Sequence, residues 1–230
     1  MHRFFVDPAA IAGEQFSIPG TIAHQVTRVL RLRDGDELSL LDGLGSEATC
    51  RLEGGECVVL KRGVAGGEPS HQLTVWQALL KGDHLEPVIR HGTELGLERF
   101  ALFVSERCVA RVLSPRKLDR LRAVAREAAE QSERGIVPPV NEPIPFAEAL
   151  KAAAPGSVLL FERHDGKRLT EMEPPSGVFI GPEGGFSPAE VEAAERAGLA
   201  IAGLGPRILR SETVAVAVAA AILSRTGDFA

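Results

Sequence analysis

The chain has 230 residues, a formal net charge of -5, and a hydrophobic fraction of 44%, with only 5% aromatic residues and no tyrosine. Its length and hydrophobic fraction suffice for a sizeable core in one large domain or two small ones. The negative charge argues against a protein that coats nucleic acid indiscriminately, and the few aromatic residues argue against extensive stacking on single strands. Any RNA-binding surface must therefore be local.

Composition also bears on the compartment. The longest apolar stretch, residues 214–223, is too short to cross a bilayer, and the N-terminus lacks the apolar block of a secretory signal. Cys50, Cys57 and Cys108 form an odd set without CxxC spacing, which indicates neither a disulfide framework nor a zinc site. We expect a cytoplasmic protein with reduced cysteines and no membrane partner.

The first 62 residues predict short strands separated by turns. The predicted strands cover residues 3–6, 37–41, 47–52 and 56–60. Between the first two, residues 23–32 carry Val26, Val29 and Leu30 at the spacing of a short amphipathic helix. Several short strands with one helix predict a small β-barrel.

A segment rich in Gly, Pro and Ser, residues 62–71, predicts a domain boundary, with domains at 1–66 and 72–230. Beyond it, strands are predicted at residues 73–80, 100–105, 158–161 and 178–180. Helices are predicted at residues 87–95, from Ser114-Pro115 onward, and at 146–153. This alternation predicts an α/β fold with a mostly parallel sheet.

Two segments near the C-terminus, residues 178–190 and 204–213, share one plan. Each runs from a short apolar strand through a turn rich in Gly and Pro into a helix, which is the geometry of a ligand cleft. Gly184 and Gly185 allow positive φ and a close backbone approach to a ligand. Ser187, Pro188 and Glu190 form a capping box that predicts a helix ending at Ala197-Gly198. A purely structural strand-to-helix turn is the alternative for either segment alone.

The ligand of such a cleft follows from its charge. A phosphate is the usual ligand of a glycine turn at a helix N-terminus, but this turn has no Lys and carries the anion Glu183. A nucleoside triphosphate is therefore not expected. A carboxylate suits a cation or a ligand with hydroxyl groups, and S-adenosylmethionine combines a sulfonium cation with a ribose.

The strings IGPEGGFSPAEVEAA and LGPRILRSETVAVA resemble the two signature segments of the ribosomal RNA small-subunit methyltransferase E family, in the SPOUT superfamily of knotted methyltransferases. The resemblance covers most of the chain, including the segments 24–36, 81–83, 93–96, 105–108 and 130–132. It implies an N-terminal PUA-like β-barrel that binds RNA, followed by a SPOUT-type α/β domain with a C-terminal trefoil knot. It also implies methylation of uridine N3 in small-subunit (16S) ribosomal RNA, without a metal.

The resemblance assigns site residues motif by motif. Those implied to bind S-adenosylmethionine are Phe161, Glu162, Ile180, Gly181, Pro182, Glu183, Gly184, Gly185, Leu204, Gly205, Ile208, Leu209, Arg210 and Thr213. Arg210 is the candidate for stabilising the uridine anion and Glu212 a candidate proton acceptor; the alternative is that Arg210 only pairs with Glu183 or Glu212. The candidate RNA-binding residues are Arg3, Arg28, Arg31, Arg33, Arg107 and Arg116, and solvated surface charge is the alternative for them. The sequence departs from the family pattern at His91, Glu133 and Ile136, and no RNA contact is carried over to these positions.

The C-terminal helix, from about residue 212 to 225, is apolar nearly all round. A helix of that kind is buried on every side, which suggests a partner subunit, and the resemblance implies a homodimer; the alternative is a helix buried within a single subunit. The substrate is ribosomal RNA, either naked or in the assembled 30S subunit. Two alternatives stay open: a SPOUT methyltransferase acting elsewhere, such as on a tRNA 2′-hydroxyl, and an RNA-binding ribosome assembly factor without catalysis.

Overall fold

The computed structural model describes residues 1–162 and 166–229. The chain divides into two compact units. The first comprises Met1–Glu68 together with Ala129–Val137, and the second comprises Pro69–Ala128 and Pro138–Ala230.

The first unit is built on one five-stranded sheet with the order β1-β3-β4-β5-β2. The strands are β1 (His2–Phe5), β2 (Gln15–Ser17), β3 (Glu37–Leu41), β4 (Ser46–Glu53) and β5 (Glu56–Val64). β1 runs parallel to β3, and the other pairs are antiparallel. The four predicted strands are confirmed. β2 escaped prediction because two of its three residues are polar and exposed.

The helix predicted at residues 23–32 is wrong at both ends. It starts as α1 (Gly20–His24), directly after the extended Pro19, and continues as a π-helical turn, Gln25–Val29. The helical backbone ends at Leu30, because the next residue, Arg31, has a φ of 55° and so leaves the right-handed helical region. The wider π turn changes the helical period, so that Val26 is buried while Val29, predicted to face inward, is 61% exposed.

The core of the first unit lies on one face of the sheet. Phe4, Leu38 and Leu40 pack there with Ala48 and Cys50, all of them buried. Burial raises the pKa of the Cys50 thiol to about 11, with a smaller contribution from the neighbouring Cys57. The reactive thiolate form is therefore disfavoured at neutral pH.

The second unit contains a six-stranded sheet in which every pair is parallel, with the order β11-β9-β10-β6-β7-β8. The strands are β6 (Thr74–Ala78), β7 (Arg99–Val104), β8 (Ile144–Pro145), β9 (Val158–Leu160), β10 (Gly177–Ile180) and β11 (Ala200–Ala202). The predicted α/β class is thus confirmed. β8 escaped prediction because it is a two-residue strand that includes a proline.

In the described residues from Leu85 onward the α-helices are α2 (Leu85–Glu94), α3 (Pro115–Gln131), α4 (Phe146–Ala152), α5 (Pro188–Arg196) and α6 (Ser211–Arg225). Aromatic side chains fill the space over the sheet in the second unit. Trp76 stacks on Phe179 with a centroid distance of 5.0 Å, and Phe186 stacks on Phe103 at 6.1 Å. Phe186 belongs to the glycine turn after β10, so this contact anchors that turn to the core.

The C-terminal helix α6 is buried on one face, where Ala215, Val218 and Ile222 have no exposed surface. Val214 and Val216 are only half-buried, so burial on every side is not achieved within the chain itself. The homodimer and the trefoil knot therefore stay predictions. In the part of the chain that the structure describes, no helix has the length and apolar character needed to cross a membrane.

Candidate functional site

The two glycine- and proline-rich turns meet at one cavity in the second unit. The first turn follows β10 and the second follows β11, and both strands run parallel to β9 between them, so the chain leaves all three at the same edge of the sheet, where α/β folds bind ligands. The cavity has a volume of about 560 Å³. This is within the range of small-molecule sites, roughly 300 to 1,000 Å³.

Most residues assigned to the cofactor line this cavity. They are Phe161, Glu162, Ile180, Gly181, Pro182, Glu183, Gly185, Leu204, Gly205, Ile208, Leu209 and Arg210, and Glu212 lines it as well. Gly184 and Thr213 do not line it. The Gly184 carbonyl instead accepts a hydrogen bond from the Arg107 side chain at 3.0 Å, and Thr213 is exposed.

The first turn, Gly181 to Phe186, requires its glycines. Gly185 has a φ of +66°, and a Cβ there would lie 2.7 Å from a carboxylate oxygen of Glu162. A Cβ on Gly181 would lie 3.2 Å from the Phe186 ring. A side chain at Gly181 would require the Phe186 ring to shift by a few tenths of an ångström, and one at Gly185 would require a left-handed backbone conformation. The cavity wall is therefore formed partly by backbone.

A second loop, which follows β7, supports this turn from outside the cavity. The Ser187 hydroxyl donates to a Glu106 carboxylate oxygen at 2.6 Å, and the backbone N–H of Glu106 donates to Glu190 at 2.8 Å. Ser187 and Glu190 also form the predicted capping box of α5. Arg107, which the sequence assigns to RNA, is exposed and donates from its guanidinium to the Gly184 carbonyl. Sequence reasoning missed the support from Glu106, although the quoted segment 105–108 contained it.

The second turn, which leads into α6, is tied to the first through a buried serine. The Ser211 hydroxyl donates to the Gly181 carbonyl at 2.6 Å and accepts from the side chain of Gln77, on β6, at 2.9 Å. Gly205 has a φ of +112°, and no atom lies within 4 Å of where its Cβ would be. The glycine is therefore needed for its conformation rather than for space.

The loop after β6 closes another side of the cavity and was not assigned to the cofactor from the sequence. Lys81 and His84 line the cavity, as does Arg207. The backbone N–H of Lys81 donates to Glu183 at 3.0 Å, and Nδ1 of His84 lies 3.2 Å from Glu212. The signal for this loop was the quoted segment Lys81-Gly82-Asp83.

Arg210 occupies the N-cap of α6 and its side chain is exposed at the cavity. Glu183 and Glu212, its two alternative partners, are engaged by the Lys81 backbone and by His84. Within residues 1–162 and 166–229, no ion pair joins Arg210 to either of them. The guanidinium is therefore available to an anion in the cavity.

The arginines assigned to RNA in the first unit differ in exposure. Arg28, Arg31 and Arg33 are exposed where the π-helical turn ends, and Arg31 has the positive φ noted above. Such a conformation is uncommon for a residue with a side chain and often marks functional positions. Arg3 is half-buried and its Nη2 is a buried atom without a hydrogen-bond partner. In the second unit, Arg116 is exposed in the first turn of α3.

Two family models match the chain. One, described as an RNA methyltransferase domain, matches residues 67–223, and the other, an RNA methyltransferase PUA domain, matches residues 18–59. The ribosomal RNA small subunit methyltransferase E of Bacillus subtilis (strain 168) is 31% identical, covering 98% of this chain and 97% of its own. The protein of the same name from Mycobacterium bovis is 32% identical, covering 95% of this chain and 90% of its own.

A solved structure is similar over nearly the whole chain. It is that of a ribosomal RNA small subunit methyltransferase E from Neisseria gonorrhoeae bound to S-adenosyl methionine, 31% identical, with a TM-score of 0.86 and 98% coverage of both chains. The parallel α/β unit with its paired glycine turns, the matched PUA domain and these relatives all point to the same family. The chain belongs to the ribosomal RNA small subunit methyltransferase E family.

Proposed function

We propose that the protein transfers a methyl group from S-adenosylmethionine to N3 of one uridine in small-subunit ribosomal RNA. The observation that carries this proposal is the single cavity formed by the two glycine turns at one edge of the parallel sheet. The relative from Neisseria gonorrhoeae, bound to S-adenosyl methionine, supports the same ligand.

The residues around the cavity fit this ligand. Glu162 and Glu183 supply carboxylates, which suit a sulfonium cation and the hydroxyl groups of a ribose. The close packing at Gly181 and Gly185 leaves backbone groups on the wall, where they can bind the polar edge of a base. Leu160, Ile180 and Leu209 provide apolar surface for a planar ring. We extend the assignment to Gly184 and Thr213, which act by shaping the turn and the start of α6.

When bound, S-adenosylmethionine supplies a methyl group made electrophilic by the sulfonium. The protein must align the uridine nitrogen with that group, and such positioning is worth roughly 7 to 11 kcal/mol of a barrier. Uridine N3 carries a proton, so the reactive form of the base is its anion. Arg210, exposed at the cavity and without an acidic partner in the described chain, stabilises that anion.

The first unit delivers the RNA. We assign residues 1–66 to an RNA-binding domain and residues 72–230 to the methyltransferase domain. Arg28, Arg31 and Arg33 meet phosphates, where their guanidinium groups give affinity rather than sequence readout.

The protein acts in the cytoplasm as a homodimer whose second copy covers the half-buried face of α6, and its C-terminal segment forms the trefoil knot. Its substrate is small-subunit ribosomal RNA, either naked or in the assembled 30S subunit.

The test is mass spectrometry of ribosomal RNA from cells lacking this protein. One 3-methyluridine should be lost from the small-subunit RNA and return when the gene is restored. Unchanged methylation would refute the proposal, and loss of a ribose 2′-methyl group would favour a different target. Calorimetry with S-adenosylmethionine separates the assembly-factor alternative, since a non-catalytic protein need not bind the methyl donor.

A further inference from the structure

The cavity contains a histidine paired with a carboxylate, and no step described above uses it. Nδ1 of His84 lies 3.2 Å from Oε1 of Glu212, and both side chains line the cavity. A carboxylate can only accept a hydrogen bond, so Nδ1 carries the hydrogen in this pair. In the neutral ring, Nε2 then presents a lone pair. The arrangement is that of an oriented general base, in which the carboxylate fixes the tautomer of the imidazole.

Both members of the pair are held in place. Glu212 is in the first turn of α6, where the helix dipole favours a carboxylate, and its side chain is 18% exposed. His84 ends a short loop after β6 and is the N-cap of α2. That loop is fixed from two sides, because the Lys81 backbone bonds Glu183 and the Lys117 side chain bonds the Gly82 carbonyl and Asp83. The His84 side chain is 41% exposed, so a proton it receives can pass to solvent.

We propose that His84, oriented by Glu212, is the base that accepts the N3 proton of the target uridine. This inference rests on the proposed function, because only a nucleophile that carries a proton needs a base. The structure favours His84 over Glu212 as the acceptor, since the Glu212 carboxylate is already engaged and a carboxylate is a weak base for an imide proton. An imidazole is better matched to proton transfer near neutral pH.

The step balances as follows. The N3–H bond breaks, its proton goes to Nε2 of His84, and its electron pair forms the new bond from N3 to the methyl carbon. The bond between methyl and sulfur breaks, and sulfur keeps the pair, giving S-adenosylhomocysteine. The imidazolium that forms is stabilised by Glu212 and later releases its proton to water. Arg210 stabilises the negative charge that builds on the uracil oxygens.

Several charged groups lie on the same cavity as His84 or on its loop. The acidic ones are Glu212 on α6, Glu183 on the turn after β10, Glu162 after β9, and Asp83 on its own loop. The basic ones are Lys81, Arg207, Arg210 and, beside Asp83, Lys117. Only Glu212 among them bonds the imidazole within the part of the chain that the structure describes.

The decisive variant is His84→Gln, which retains a polar side chain but lacks a base. At pH 7 we expect kcat to fall about 10²-fold. The Kd for S-adenosylmethionine should stay within about twofold of wild type, and the melting temperature within about two degrees. The wild-type rate should depend less steeply on alkaline pH than the rate of His84→Gln, because its base removes the N3 proton. The rate of His84→Gln should keep rising into alkaline solution, where uridine ionises without help, so its deficit should shrink.

A second variant, His84→Ala, tests the chemistry through rescue. Added imidazole should restore part of its activity, in proportion to the neutral form of the imidazole. Glu212→Gln should lower kcat as well, and the double variant should be little worse than His84→Gln alone, because the two residues act as one unit. The matched control is His91→Gln: His91 pairs with Glu94 at the same 3.2 Å on α2 but does not line the cavity, so its activity should be unchanged.

The outcomes separate this inference from the proposed function. If wild-type protein makes no 3-methyluridine, the proposed function fails, whatever the variants do. If wild type is active and His84→Gln retains full kcat at pH 7, the assignment of His84 is overturned. It is also overturned if the deficit is equal at every pH and imidazole gives no rescue, since His84 would then act only on structure.

Discussion

Single residues decide whether the cavity exists. At Gly185 a positive φ disfavours any side chain and a Cβ would displace the Glu162 carboxylate, and at Ser211 one hydroxyl joins the two turns. The glycines were predictable because the pattern of a strand, a Gly-Pro turn and a capping box has a local cause. The roles of Lys81 and His84 were not predictable, because about one hundred residues or more separate them from Glu183 and Glu212 in the sequence.

Replacing Gly185 with alanine should weaken the binding of S-adenosylmethionine. The left-handed conformation is unfavourable for alanine by about 1 to 2 kcal/mol, and the new Cβ would also displace Glu162, from which it would be 2.7 Å. We expect at least a tenfold higher Kd by calorimetry. Gly198→Ala is the matched control, since Gly198 has a φ of +86° but no atom within 4 Å of its Cβ position. Equal Kd values for the two variants would contradict this explanation.

Arg210→Ala should impair catalysis rather than cofactor binding. Loss of one group that stabilises an oxyanion typically lowers kcat by about 10² to 10³-fold. Single-turnover kinetics should show this loss, while calorimetry gives an unchanged Kd for S-adenosylmethionine. Arg210→Lys, which keeps the charge, should recover part of the rate. Methyl transfer that continues at the wild-type rate in Arg210→Ala would remove this residue from the mechanism.

Among the elements, α5 is the one whose start positions the glycine turn. Its capping box was readable from the sequence because Ser187, Pro188 and Glu190 each satisfy a known need of a helix N-terminus. The helix at residues 20–29 was misjudged because periodicity assumes α-helical geometry, and a π-helical turn shifts the inward face. The extra partner of Ser187, Glu106, comes from a distant loop and has no local signal.

Ser187→Ala should destabilise α5 and the turn before it. The cap to the Glu190 backbone is lost and Glu106 loses a hydrogen-bond donor, so we expect a decrease of about 1 to 2 kcal/mol in the free energy of unfolding. Binding of S-adenosylmethionine should weaken as well. The comparison is Ser114→Ala, which removes a hydroxyl bonded to the Lys117 backbone at the start of α3, outside the cavity lining. It should lower stability without changing the Kd; an identical Kd for both variants would count against the role of α5.

At the scale of the whole molecule, the chain crosses between its two units more than once. Residues 129–137 belong to the first unit, although the segments on either side belong to the second. Glu68 binds this segment through the Arg134 side chain at 2.6 Å and through the backbone of Gly135 and Ile136 at 3.0 Å each. The sequence predicted the helix that begins at Ser114-Pro115 but had no signal for this packing, because the contacts span 66 to 68 residues.

Arg134→Met should therefore destabilise the first unit strongly. The Arg134 side chain is 3% exposed, and leaving Glu68 without its cation is expected to cost about 3 to 5 kcal/mol. Denaturant unfolding should show the loss, while the Kd for S-adenosylmethionine changes little because the cavity belongs to the second unit. Arg51→Met removes an exposed pair with Glu37 at 3.1 Å and should cost less than about 1 kcal/mol. Similar losses for the two variants would show that the buried pair is not important.

The central claim is tested most directly by incubating 30S subunits that lack the modification with the purified protein and S-adenosylmethionine carrying a deuterated methyl group. The RNA is then digested and its nucleosides are identified by mass spectrometry. We predict that the label appears in 3-methyluridine at a single position of the small-subunit RNA. Label in a ribose 2′-O-methyl nucleoside, or in no nucleoside at all, would contradict the account.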